Sequence, residues 1–241
     1  MNTEVKLFND LYIVDIGLYS ANLKTLFIAD SHLGYEDALA EEGIFVPRIN
    51  LKLIKQRLEK VFSNLHVERI VFNGDLKHEF GDISKQEWFE VLEFIDFLKA
   101  HGELVIVKGN HDTMLNPIAK KKNVKIVENV LIGKYFITHG HKFEKPPKNA
   151  KASIIAHEHP AISLREGGRI ERFKCFLCGK SNGKALIVLP SLLQVVEGTD
   201  LLNENLLSPY LQEGIEDFKI WIVEDKPYYF GKIRQIMEIK E

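Results

Sequence analysis

The sequence KGNHD at residues 108–112 directly follows the apolar run LVIV at residues 104–107. A short apolar run bounded by turn residues is typical of a buried parallel strand. Such a strand would deliver an amide, an imidazole and a carboxylate at its carboxyl end, where open α/β sheets bind their ligands. Taken alone, the segment is also compatible with an ordinary turn, because Gly and Asn are common turn residues.

Four other apolar runs of the chain end in the same kind of side chains. The runs at 26–29, 70–72, 135–137 and 154–156 are followed by Asp30-Ser31-His32, Asn73-Gly74-Asp75, Thr138-His139-Gly140-His141 and His157-Glu158-His159. Seven of the nine histidines lie in or beside these segments. Imidazoles and carboxylates packed together without a cation would be desolvated and poorly paired. The repetition therefore predicts a metal site rather than a set of turns.

Helical patterns separate the first strands. Apolar residues recur at spacings of three and four between 51 and 65, which predicts a helix with one apolar face. Ser84, with Glu87 three residues later, is typical of a capping box that starts a helix at about 85–100. These helices alternate with apolar runs, so the pattern predicts two β-α-β units with parallel strands and right-handed crossovers.

The remaining strands are predicted from shorter patterns. Two strands lie within 4–14, another at about 24–29, and a short helix at 113–121. Strand-like runs then occur near 124–127, 130–138, 152–156, 160–165, 169–177, 184–189, 218–224 and 227–235, with hairpin connections at 167–168 and 179–183. A helix is expected near 203–213. The second half should thus form a mostly antiparallel or mixed sheet that packs on the parallel one, within a single domain of residues 1–241.

Composition limits the class of protein. Hydrophobic residues make up 45% and charged residues 27% of the chain, as in ordinary globular proteins. The net charge of -2 gives no global attraction to nucleic acid. No signal peptide or membrane-spanning run is evident, which predicts a cytoplasmic protein. The two cysteines, Cys175 and Cys178, lack the second pair that a structural zinc site needs, and residues three apart on a strand face opposite sides.

The order of motifs D-x-H, GD, GNHD, H-G and H-x-H resembles the calcineurin-like metallophosphoesterases. The segments DSHLGYE at 30–36 and GDLKHEF at 74–80 are similar to a narrower archaeal and bacterial branch, the ICC-like phosphoesterases related to SbcD-type nucleases. Within that branch the likeness extends to the segments at 189–191 and 207–209. The resemblance implies a four-layer α-β-β-α sandwich of two facing mixed sheets flanked by helices, with the active site at the C-terminal ends of strands.

The resemblance also implies roles for individual residues. One metal ion would bind Asp30, His32 and His159, a second would bind Asn110, His139 and His157, and Asp75 would bridge them. His111 would act as general acid, and a hydroxide activated by the two ions would attack phosphorus. A mixed N/O ligand set suits Mn²⁺, which we favour, and also Ni²⁺, Zn²⁺ or Fe.

Two departures from the family pattern concern this site. Ala156 stands where the last motif usually has Gly. His78, followed by Glu79, stands where many relatives have an Asp that orients the catalytic histidine. We therefore expect His78 or Glu79 to contact His111, and His141 and Lys142 to contact the substrate.

Three functions fit this sequence. The first is hydrolysis of nucleic-acid phosphodiesters in DNA or RNA, supported by Lys142, Lys145, Lys148 and Lys151 and by the lysines at 120–122, although such runs are commonly solvated surface. The second is hydrolysis of small esters such as cyclic nucleotides. The third is a metal-binding scaffold without catalysis, which the presence of His111 and of all seven ligand residues argues against. A homo-oligomer is compatible with each.

Overall fold

The computed structural model describes residues 4–81 and 83–240, which form two β-sheets and five α-helices. One apolar core lies between the helices and the first sheet, a second between the two sheets, and a third on the outer face of the second sheet. The predicted arrangement of two facing mixed sheets flanked by helices is confirmed. Of the helices in the described residues, none has the length and hydropathy needed to span a bilayer.

The first sheet follows the order of the chain. Its strands, β1 to β7, are Val5–Phe8, Leu11–Val14, Gly17–Ser20, Thr25–Ile28, Arg69–Asn73, Glu103–Val107 and Lys125–Val127. Strands β1 to β4 are antiparallel, whereas β4 to β7 run parallel. This parallel half confirms the predicted β-α-β units, because β4 and β5 are connected through α2 (Asn50–Asn64), and β5 and β6 through α3 (Lys85–Lys99). Helix α4 (Asn116–Lys122) precedes β7.

Two elements of this half are absent from the sequence prediction. Strand β3 has four buried residues and therefore shows no alternation of apolar and polar side chains. Helix α1 (Tyr35–Glu41) has no side-chain cap, and the residue before it, Gly34, is left-handed. Ser84 does cap α3 by accepting a hydrogen bond from the Glu87 N–H, as predicted.

The second sheet is mixed. Its strands, β8 to β16, are Asn129–Ile132, Tyr135–Thr138, Ala152–Ile155, Pro160–Glu166, Arg169–Ser181, Lys184–Val188, Thr199–Asp200, Lys219–Val223 and Pro227–Lys232. The order is β14-β11-β12-β13-β10-β9-β8, and β15 joins β12 to β16. The central strand β10 runs parallel to both β9 and β13, while the other long pairs are antiparallel.

The helix expected near 203–213 is wrong. These residues form turns, and Leu201, Tyr210 and Leu211 pack on the outer face of the second sheet without a helical period. Pro209 disfavours a helical conformation at the preceding residue, which explains the failure. The expected strand near 227–235 ends at Lys232, and a short helix, α5 (Ile233–Lys240), follows it.

The two cysteines lie on β12 and face opposite sides, as predicted. Cys175 belongs to the outer core and Cys178 packs against the core between the sheets. Both are free thiols. Burial raises the pKa of each thiol, to about 11 for Cys178, so both are protonated at neutral pH.

Candidate dinuclear metal centre

Five strands bring the predicted ligands to one edge of the sandwich. Strands β4, β5 and β6 of the first sheet and β9 and β10 of the second each end immediately before a metal-ligand motif. Because these strands are parallel within each sheet, their carboxyl ends share an edge. The structure thus explains why motifs distant in sequence meet in space.

The seven predicted ligands form two groups that share one carboxylate. The first group contains Asp30, His32, Asp75 and His159, and the second contains Asp75, His139 and His157. Within each group the potential ligand atoms all lie within 4.8 Å of one another. The amide oxygen Oδ1 of Asn110 lies 3.1 Å from Nε2 of His139, which places Asn110 beside the second group. The assignment of these residues to two metal ions stays a prediction.

The side chains fit a divalent cation. Nε2 of His32 lies 3.2 Å from Nε2 of His159, and the latter lies 3.4 Å from Oδ2 of Asp30. Asp30 is fully buried, yet its Oδ1 has no hydrogen-bond partner. A buried carboxylate oxygen without a partner is costly, and a cation at this position would satisfy it. Nitrogen and oxygen ligands without thiolate match Mn²⁺, Fe, Zn²⁺ or Ni²⁺.

The backbone at the ligands is strained. Five of the seven have a positive φ, with values of 54° for Asp30, 41° for His32, 49° for Asp75, 68° for His157 and 47° for His159. Each such residue costs of order 1–3 kcal/mol and persists only where its surroundings impose it. Here the N–H groups of Asp30 and His32 donate to the carbonyls of Gly74 and Asp75, so two ligand loops hold each other.

Two glycines make room for the ligands. A Cβ at Gly74 would lie 2.1 Å from Nδ1 of His139, and one at Gly109 would lie 2.1 Å from Oδ1 of Asp75. Gly74 also has a φ of 85°, which side chains rarely adopt. The glycines of the GD and GNHD motifs are therefore required by close approach of the ligands.

Burial and pairing set the charge of the imidazoles. Burial lowers the pKa of His32 well below its ordinary value and lowers that of His157 to about 4. Burial also disfavours the cation of His139, but the Asp75 carboxylate outweighs this effect and raises the pKa of His139. Nε2 of His139 lies 3.2 Å from Oδ2 of Asp75. Imidazole binds a metal ion in its neutral form, so a metal ion here would compete with a proton for His139.

The candidate general acid, His111, stands beside the two groups. Its Nε2 lies 3.9 Å from Oδ2 of Asp75, and its backbone N–H donates to Oδ1 of Asp75 at 3.0 Å. Its Nδ1 donates to the backbone carbonyl of His78. The contact expected between His78 and His111 is therefore present, but it uses a main-chain atom. No hydrogen bond or ion pair joins Glu79 to His111 among the described residues.

His78 also touches a metal-ligand candidate. Its Nδ1 lies 3.4 Å from Nδ1 of His32, and His32, His78 and His111 form a third compact group of imidazoles. Burial and the neighbouring His111 lower the pKa of His78, so its ring is uncharged at neutral pH. A neutral ring here fixes the orientation of His32, whose other nitrogen faces the first ligand group.

His141 and Lys142, which we expected to contact the substrate, differ in whether the protein supplies them with partners. The ring of His141 lies 5.3 Å from that of His139, and its buried Nδ1 has no hydrogen-bond partner. Lys142 forms ion pairs with Glu128 at 3.1 Å and Glu144 at 3.3 Å. Its charge is therefore largely balanced by the protein.

Residues that the sequence prediction left without a role support the centre. Asp112 is buried and accepts hydrogen bonds from the N–H groups of Leu76 and Gly109, which ties two ligand loops together. Glu158 accepts from the N–H groups of Leu207 and Ser208. The position of Asp112 and Glu158 inside the ligand motifs was the sequence feature that could have indicated a supporting role. A third, Phe80, lies with its ring centroid 3.7 Å from that of His111, although the side chain is 56% exposed.

Two facing sheets carry a two-group N/O ligand cluster at their shared edge. The family model of the calcineurin-like phosphoesterases matches residues 23–188, which is more than half of the chain. The chain belongs to this family. No curated protein sequence matches it.

Several solved structures are similar to this chain. Nuclease MPE of Pseudomonas putida is similar over 93% of this chain and 98% of its own, at 17% identity and a TM-score of 0.67. A protein of unknown function from Aquifex aeolicus, AQ665, matches 55% of this chain and 77% of its own, at 19% identity and a TM-score of 0.38. Vps29 of Chaetomium thermophilum matches 83% and 81%, respectively, at 14% identity and a TM-score of 0.39.

Proposed function

We propose that this protein hydrolyses phosphodiester bonds by means of two divalent metal ions. The observation that carries the proposal is the pair of ligand groups that share Asp75, with Nε2 of His111 3.9 Å from the shared carboxylate. Asp30, His32 and His159 would hold one ion, and Asn110, His139 and His157 would hold the other. When bound, the ions supply Lewis acidity toward phosphoryl oxygens and lower the pKa of water.

The proton that the leaving group needs comes from His111. A carbonyl only accepts, so the contact with His78 places a proton on Nδ1 and leaves Nε2 free to face the substrate. Nε2 can donate a proton only when the ring is protonated at both nitrogens, so His111 would act in that form, with Nε2 3.9 Å from Oδ2 of Asp75. His111 therefore acts as the general acid, and His78 orients it through its main chain and orients His32 through its ring. The backbone N–H of Glu79 donates to Oε1 of Glu87, as does that of His78, so Glu79 helps to hold the segment that carries His78.

Nucleic acid is the substrate that we propose first. The nuclease that shares this fold supports that order of testing, and the open ring of Phe80 beside His111 offers a surface on which a base can stack. The ring of His141 lies 5.3 Å from that of His139, which makes it a candidate to contact the substrate. Mn²⁺ is the first metal to test, and the cytoplasm is the proposed compartment. Residues 1–241 are proposed to act as one domain, because the core between the sheets draws on both halves of the chain.

A small diester such as a cyclic nucleotide is the second candidate. The observation in its favour is the double ion pair of Lys142, because a lysine whose charge is balanced by Glu128 and Glu144 is less available to bind phosphate. A long polyanion gains affinity from unpaired lysines, whereas a small diester does not need them.

The proposal is tested with chain stripped by chelator and reloaded with Mn²⁺, Ni²⁺, Zn²⁺ or Mg²⁺. Substrates are single- and double-stranded DNA, RNA, cyclic nucleotides and bis(p-nitrophenyl) phosphate. We expect hydrolysis of diesters only after reloading. Cleavage of cyclic nucleotides without cleavage of any nucleic acid would select the second candidate, and full activity in excess chelator would refute both.

A further inference from the structure

A cavity of about 490 Å³ lies at the edge of the second sheet opposite the metal centre. It is lined by Ser153 near the start of β10 and by Lys184 at the start of β13. His157 follows the other end of β10, four residues beyond Ser153, and extended chain of that length spans about 13 Å. The cavity is therefore separate from the ligand groups, and none of its lining residues is a candidate metal ligand.

The cavity is positively charged. Lys145, Lys148 and Lys184 line it, and no Asp or Glu does. Among the described residues, none of these three ammonium groups takes part in an ion pair. Nζ of Lys184 donates to the carbonyl of Pro147 at 2.8 Å, but this neutral acceptor leaves the charge uncompensated. Three uncompensated cations around one concave surface attract an anion.

One wall of the cavity is aromatic and held in place. Phe143 is 49% exposed, and its ring centroid lies 5.0 Å from that of the buried Tyr210. The Tyr210 hydroxyl exchanges hydrogen bonds with the backbone N–H and carbonyl of Glu144. Pro146 stiffens the following turn of the chain. An exposed, preorganised aromatic face costs little entropy when a planar ligand stacks on it.

We propose that this cavity binds a nucleoside phosphate, with its base on Phe143 and its phosphate among Lys145, Lys148 and Lys184. Its volume lies in the usual range for pockets that bind small ligands, about 300–1,000 Å³. The nucleotide is either free or part of a single strand. In the second case the cavity anchors a strand away from the bond that is cleaved. The site goes beyond the proposed hydrolysis, since it needs no metal.

The test is binding measured by calorimetry in excess EDTA, with adenosine monophosphate, ribose 5-phosphate and an octathymidylate as probes. EDTA prevents hydrolysis and binding through metal ions, so the result does not depend on whether the nuclease assay succeeds. We expect saturable binding of adenosine monophosphate and about tenfold weaker binding of ribose 5-phosphate, because the stacked ring is lost. Binding of the monophosphate alone identifies a free nucleotide, and tighter binding of the octamer identifies a strand.

Variants locate the binding. The pair Lys145→Gln and Lys148→Gln should weaken binding of both nucleotide probes and reduce the slope of log affinity against log salt for the octamer by about 1.4. The matched control is Lys52→Gln with Lys60→Gln, two exposed lysines of α2. Phe143→Ala should weaken adenosine monophosphate about tenfold but leave ribose 5-phosphate unchanged.

Three results would overturn the proposal. They are no saturable binding of any probe in EDTA, binding that appears only with metal ions, and equal losses in the cavity pair and the control pair. Thermal unfolding of each variant shows that it is folded, and Phe143→Ala, which removes an exposed ring, keeps the test available if the lysine pair fails to fold.

Discussion

Asp10 and Asp30 are both buried carboxylates, but they lie at opposite edges of the sandwich and differ in their hydrogen-bond partners. Asp10 accepts hydrogen bonds from Ser20 and Tyr135 and pairs with Lys134 at 2.9 Å. Asp30 is surrounded by imidazoles, and its Oδ1 has no hydrogen-bond partner. Burial of a carboxylate therefore does not identify a functional site. What distinguishes Asp30 is that it has an unpartnered oxygen and belongs to a group of four side chains whose potential ligand atoms all lie within 4.8 Å of one another.

The backbone shows the same contrast. Positive φ at non-glycine residues away from the centre occurs mainly at Asn and Asp in turns, such as Asn9 and Asn182, where short polar side chains tolerate it. At the centre, three histidines adopt it as well. In the turns, the positive φ values are thus consistent with the local sequence. At the candidate metal centre, tertiary contacts impose them. The following predictions test that difference, in order of their effect on the catalytic rate.

Asp75→Asn should abolish turnover, a larger loss than the ~10²–10⁴ that a general acid contributes, because both ligand groups lose the carboxylate that they share. The measurement is kcat/KM for bis(p-nitrophenyl) phosphate together with metal content after dialysis. Asn keeps the size and the left-handed preference of Asp, so the melting temperature serves as the control for folding. A variant that retains two ions and its rate would contradict the assignment of Asp75.

His111→Ala should keep both ions but lower kcat by about 10²–10⁴ on a natural phosphodiester. The loss should be much smaller on a nitrophenyl ester, whose leaving group needs little protonation. Parallel kinetics with the two ester types, on protein of equal metal content, provide the measurement. Equal losses on both esters would mean that His111 only positions the substrate.

Gly109→Ala should lower activity by about 10², because the new Cβ would overlap Asp75 and displace it. The free energy of unfolding should fall by about 1–3 kcal/mol for the same reason. Gly81→Ala is the matched control, since a Cβ there meets open space. Denaturant titration and kcat/KM of the two variants check the prediction, and similar results for both would show that the motif glycine is not sterically required.

Asp10→Asn should leave activity unchanged and lower stability at pH 7 by about 1.5–3 kcal/mol, the range for hydrogen bonds to a charged group. Burial alone raises the pKa of Asp10, but hydrogen bonds from Lys134, Ser20 and Tyr135 lower it well below its ordinary value. A depressed pKa stabilises the fold above the unfolded value of about 3.9, and the gain is lost as the pH falls through the folded value.

The two chains should therefore differ in urea stability at pH 7 and converge as the pH falls below about 4. A constant difference across this range would show that the carboxylate charge of Asp10 does not stabilise the protein. Loss of activity in Asp10→Asn would contradict the conclusion that Asp10 has only a structural role.

Much of the fold and the location of the centre could be predicted because each strand and its ligand motif are adjacent in sequence. Apolar runs such as 104–107 report a buried strand, and the polar residues that follow report its functional end. Contacts that depend on tertiary structure were not predictable. The partner of His111 is a main-chain carbonyl, and Lys142 is paired with Glu128 from another segment.

Local sequence patterns also gave wrong or missing secondary-structure predictions where tertiary packing decided the conformation. The leucines near 203–213 suggested a helix, but Glu158 takes the backbone N–H groups of Leu207 and Ser208, and Pro209 interrupts the segment. Strand β3 escaped notice because both of its faces are buried.

The left-handed backbone at Asp30 and Asp75 has an evolutionary consequence. At such positions Asn and Gly are the replacements that conformation tolerates, and both remove the charged ligand. Glu keeps the charge but lacks the short side chain that favours this conformation. Neutral substitution at these positions therefore tends to produce sequences that keep the fold but lack a charged metal ligand. Descendants of such a chain would be expected as stable, folded proteins with no hydrolytic activity.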